Sequence, residues 1–134
     1  MPTPIVHKAF TTRIPLAVLI LLGIKTCENR SHLPVPSKGK CGMSCSKSSD
    51  EREYENFLRW CKKVFTEKVL SAIPSWDEVK DWRGKMVAVM DYDASMEQGD
   101  AIWDEGYDVW WRLSNVELLD EPFPVRGNVG MWDC

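Results

Sequence analysis

The sequence predicts an α+β domain: a small mixed β-barrel with a buried N-terminal helix and a flanking amphipathic helix. Three observations carry this. Short apolar or alternating runs are punctuated by glycine and proline; residues 14–22 are apolar nearly all round; and residues 54–69 place apolar side chains three and four apart. The chain has 134 residues and a mass of 15.4 kDa, the size of one domain, so residues 1–134 read as a single unit with a helical segment at about 50–82.

Ile5 to Phe10 reads as a short strand. Thr11 or Thr12 offers an N-cap for a helix opened by Arg13 and Ile14, with Pro15 in its first turn and Gly23 as its stop. Residues 25–31 read as a strand, with Thr26, Glu28 and Arg30 on one face and Lys25, Cys27 and Asn29 on the other. Leu33 to Gly39 is a loop, and Lys40 to Ser46 reads as the partner strand of 25–31. Ser48 and Asp50 each begin a capping box. The amphipathic helix behind them buries Tyr54, Phe57, Leu58, Cys61, Val64, Phe65 and Val69, and exposes a mixed basic and acidic face. Ser75 caps a short helix to Trp82, Arg83-Gly84 turns the chain, and Met86 to Met90 is a buried strand. Residues 91–108 are acidic and read as a strand end followed by a loop or short helix. Asp108 to Leu113 is a strand that resumes over Asn115 to Leu119 after a kink. Glu121 to Gly127 is a loop, and Val129 to Trp132 closes the sheet.

The charge is polarised. Residues 1–50 carry seven Lys and Arg against two Asp and Glu, whereas residues 91–134 carry two against eleven. Either the folded surface is polarised or these are ordinary solvated faces. Cysteines stand at 27, 41, 45, 61 and 134, an odd number without zinc-site spacing, which predicts free buried thiols and a reducing compartment. The apolar run 14–22 behind Lys8 and Arg13 has the look of a secretory leader. However, no small-x-small site follows it and it is too short to span a bilayer, so the expectation is an intracellular protein with no membrane partner. No phosphate-binding glycine loop, HExxH or GxSxG occurs, and the carboxylates between Asp91 and Asp108 lack the EF-hand order. No metal and no cofactor are expected.

The chemically suggestive stretch is Gly23-Ile24-Lys25-Thr26-Cys27-Glu28-Asn29-Arg30. It sets an ammonium, a carboxylate and a guanidinium directly behind a core helix. Lys25 and Glu28 converge only if Lys25 sits at the turn, before the strand's alternation begins. The trio reads equally as a site or as an ion pair that fixes the strand.

With Thr12-Arg13-Ile14-Pro15-Leu16-Ala17 before it, this stretch resembles the start of ASCH domains. These are PUA-like barrels in which an Arg-Gln-Pro-aromatic-Ala helix start leads into Gly-x-Lys-Thr-x-Glu-x-Arg. Cys45-Ser46-Lys47 resembles the family's small-Ser-Lys strand ending. Trp111 to Asn115 with Leu119-x-Glu121-Pro122-x-Pro124-Val125-Arg126-Gly127 resembles its last strands and Glu-Pro-x-Pro loop. Ile14 replaces the usual Gln and Leu16 the usual aromatic. The resemblance implies a small PUA-like β-barrel with a cleft for RNA or a modified nucleoside or nucleotide, lined by Lys25, Glu28 and Arg30. Arg13 would stand at the rim, with Lys47 and Trp111 as further ligand-binding residues. On this reading Lys25→Ala weakens binding and spares stability. Trp110 or Trp111 would stack on a base. Some small members of the wider family resemble N4-acetylcytidine amidohydrolases with a Lys, a Thr three residues on and a later Glu. Lys25 matches the first, Glu28 occupies the Thr position, and Glu97 and Glu105 are candidates for the last. Lys25 and Glu28 are therefore the catalytic candidates of that alternative. A protein-interaction module without a nucleic-acid ligand is the third reading.

Overall fold

The computed structural model describes residues 6–127 and 130–133. Its strands are β1 (Lys8–Thr12), β2 (Cys27–Arg30), β3 (Lys38–Cys45), β4 (Lys85–Ser95), β5 (Val109–Pro124) and β6 (Met131–Asp133). Its helices are α1 (Ile14–Leu21), α2 (Glu51–Val64), α3 (Glu67–Leu70) and α4 (Trp76–Val79). The strands form one curled six-stranded sheet, a half-barrel in the order β2-β5-β4-β3-β1-β6, so the class is α+β. β1 and β3 run parallel and the other neighbours antiparallel. Among the described residues β2 and β6 remain edges, so the closure expected from residues 129–132 is a curl rather than a full circle.

α1 is the central pin. Ile14, Ala17, Val18, Leu19 and Ile20 are all in the core, which explains its lack of a polar face. Neither threonine caps it, because Thr11 and Thr12 belong to β1. Instead the buried Ser49 hydroxyl, thirty-five residues away, accepts from the Ile14 N–H at 3.0 Å. At the other end Gly23 takes φ 74°, and the Leu19 carbonyl accepts from both Ile24 and Lys25 N–H at 3.0 Å. This turn delivers Lys25 to the head of β2.

Three further expectations change. Lys40–Ser46 does not pair with 25–31: β3 lies between β1 and β4, while β2 pairs with β5. Residues 41–45 of β3 are buried throughout, which suits a central strand; the four-residue, polar β2 suits an edge. The amphipathic helix stops at Val64, because Thr66 caps a separate turn of helix, and Val64 itself is exposed. Residues 121–124 are strand rather than loop, since β5 is continuous across the kink; Asn115 supplies φ 51° there and donates to Asp91 at 2.7 Å. Ile5 and Val129, expected in strands, and Cys134 lie outside the described residues. The Asp50 cap on α2 and the Ser75–Glu78 capping box on α4 are present. No described helix is long and apolar enough to cross a membrane.

Candidate functional site

A cleft of about 820 Å³ opens where β1, β2 and the end of β3 meet the 46–47, 105–107 and 125–127 segments. That volume is within the range of small-molecule sites. Glu28 and Arg30 lie on its floor and wall, since two residues apart on β2 they share a face. Trp111, the direct cross-strand partner of Glu28 on β5, shares that face too.

Lys25, Glu28 and Arg30 come together. Lys25 precedes the regular strand, and its Nζ reaches Glu28 Oε1 at 3.1 Å. Arg30 Nε donates to Glu28 Oε2 at 2.9 Å, so each carboxylate oxygen faces one cation. The Arg30 guanidinium also donates to the Thr11 carbonyl at 3.2 Å and lies 5.0 Å from the Trp111 ring and 5.6 Å from the Phe10 ring. Two aromatic faces and two acceptors hold it in one orientation.

Lys25 is not a cleft-lining residue. It is 4% exposed, lies behind Glu28, donates to the Cys27 carbonyl at 2.7 Å and rests 4.8 Å from the Trp103 ring. Its role is to neutralise Glu28 from below, so the expectation that Lys25→Ala spares stability does not fit its burial. Trp111 lines the cleft but is 1% exposed, with Arg30 over one face and Phe10 edge-on at 5.8 Å. Trp110 is buried against Gly99. Neither indole presents a free stacking plane.

The rim is cationic. Arg13, Arg30, Lys47 and Arg126 line the cleft against Glu28 and Glu105. Arg13 is tied to Glu53 at 2.8 Å and to Ser48, and Arg30 to Glu28. Lys47 and Arg126 have no ion-pair partner among the described residues. Lys47 runs its aliphatic stem over Gly84, where a β-carbon would collide with it. Arg126 is carried by a loop whose Val125 N–H donates to the Gly84 carbonyl at 3.0 Å. Sequence reasoning missed His32, Tyr107 and Arg126 as cleft residues; only Arg126, inside the Pro-x-Pro-Val-Arg-Gly tail, stood in a motif.

The cleft holds little that attacks a bond. The Cys45 thiol at its edge is pushed up to about 12 by burial, so it stays a thiol at neutral pH. Ser31 Oγ and His32 Nδ1 are 2.8 Å apart, but no carboxylate bonds this imidazole among the described residues. Glu97 is exposed and 4.0 Å from Arg112; Glu105 lines the cleft. No group of three or more His, Cys, Asp or Glu among the described residues is placed to hold a metal.

Comparison with protein-family models finds no match, and a search of curated proteins finds none either.

Proposed function

We propose that this chain is an ASCH-type, PUA-like domain that binds RNA or a modified nucleoside or nucleotide in the Glu28–Arg30 cleft. The observation that carries the reading is the Glu28 carboxylate, fixed between two cations at the base of a cation-rimmed cleft. A carboxylate in that setting is an acceptor for base amino groups, while Lys47 and Arg126 are free to neutralise phosphate. Binding is favoured over acylcytidine hydrolysis for two reasons. The Lys25 ammonium is sealed behind Glu28, and a carboxylate stands where that chemistry places a threonine hydroxyl.

The test is equilibrium binding of a labelled single-stranded oligoribonucleotide across a salt series. Wild type should bind at low salt and weaken linearly on a log–log plot. Lys47→Ala and Arg126→Ala should each flatten that slope by about 0.7, the value per neutralised single-strand phosphate. Absence of retention at low salt contradicts the proposal and leaves the protein-interaction reading standing.

A further inference from the structure

Resting on the nucleotide-binding reading, we propose that Tyr107 is the stacking platform of the cleft. The cleft then takes an unpaired base, from a single-stranded rather than a duplex ligand. The indoles do not serve, because Arg30 covers Trp111 and Trp110 is in the core. Tyr107 lines the cleft and is 48% exposed.

Its backbone is not that of a loose surface loop. Asn29, buried on the face of β2 away from Glu28, commits its whole amide to this segment and the start of β5. Nδ2 donates to the Tyr107 carbonyl at 2.8 Å and the Val109 carbonyl at 3.0 Å. Oδ1 accepts from Glu105 N–H at 2.8 Å and Tyr107 N–H at 3.0 Å. Between them the Gly106 N–H donates to Asp104 Oδ1 at 2.8 Å, and Gly106 takes φ 89°, a conformation that favours glycine. Three successive amides are thus fixed, and the ring they carry is left exposed at the cleft wall. A platform whose backbone is ordered beforehand loses less freedom when a base settles on it. Only an unpaired base has a free face to offer, since duplex bases are stacked on both sides.

The experiment compares wild type, Tyr107→Phe and Tyr107→Ala by fluorescence anisotropy. The probes are a labelled single-stranded oligoribonucleotide and the same strand in a perfect duplex; inorganic tripolyphosphate is the competitor that carries charge without a base. Near-ultraviolet circular dichroism checks that each variant is folded. Wild type should prefer the single strand. Tyr107→Ala should bind it about 5- to 150-fold more weakly with an unchanged salt slope and unchanged tripolyphosphate competition, and Tyr107→Phe should stay near wild type. Two results overturn the inference while leaving the cleft reading intact: equal single-strand affinity in Tyr107→Ala, or wild-type binding to duplex as tight as to single strand. Wild type that binds neither RNA overturns both.

Discussion

Glu28 is the residue on which the others depend. Its two oxygens separate Lys25 from Arg30, and the Lys25 ammonium, 4% exposed, is too buried to be solvated without it. Glu28→Gln should therefore destabilise the fold by roughly 3–5 kcal/mol, the range for breaking a buried ion pair, read from the midpoint of chemical unfolding. Lys25→Ala should likewise lower that midpoint, and by more than Lys47→Ala, since Lys47 is exposed and has no ion-pair partner among the described residues. The Lys-x-x-Glu-x-Arg spacing made the trio visible in the sequence, and its convergence was conditional on Lys25 lying before the alternation, where the Gly23 turn does place it. Which face of the trio meets the cleft was not legible. That depends on Trp103 closing over Lys25 from a segment seventy-eight residues later in the chain. A milder electrostatic contact sits at the β4–β5 bulge. The Lys40 ammonium, then the Asn115 amide, hold the Asp91 carboxyl below its ordinary range. Whatever this depressed carboxyl contributes is present above the unfolded carboxyl value of ~3.9 and lost as pH falls through the lower folded one. Lys40→Met should raise the Asp91 titration midpoint followed by carboxyl carbon NMR; an unmoved midpoint contradicts the assignment.

At the scale of elements, α1 shows what local pattern reading reaches. Its apolar run, Pro15 and the Gly23 stop were legible because they are local features. Its cap was not, because Ser49 arrives from the far end of β3's connection and replaces the adjacent threonines. Ser49→Ala should cost about 1 kcal/mol, the usual value for a lost cap. The thiols make a second check. Cys41 is pushed up to about 12 by burial and secondarily by Asp91, Cys45 to about 12 and Cys61 to about 11 by burial. Mass-mapped alkylation at pH 8 should leave these three unmodified in the folded protein and label them on unfolding. The odd cysteine count and the lack of zinc-site spacing predicted free buried thiols, and these three are free and buried.

Across the whole molecule, the α+β class and most strands were readable from alternation and punctuation, whereas the strand order was not. Pairing β1 with β3 in parallel while β2 crosses to β5 is a long-range choice that no local pattern of alternation or punctuation encodes. The same topology explains why the cleft was only half visible. The Lys-x-x-Glu-x-Arg segment and Arg13 lie close together in sequence, but the opposite wall comes from residues 105–107 and 125–127. The polarised charge finds a partial counterpart here, since Arg13, Arg30 and Lys47 from the basic first third line the cleft together with Arg126. The α2 face carrying Arg52, Arg59, Lys62 and Lys63 is the competing basic surface. The most direct measurement is therefore a residue-resolved map: amide chemical-shift changes in the isotope-labelled protein as a single-stranded oligoribonucleotide is titrated at low salt. The perturbed amides should gather at residues 28–32, 45–47, 105–107 and 125–127. Perturbation confined to α2, or none at saturating ligand, would contradict a cleft built for nucleotide binding.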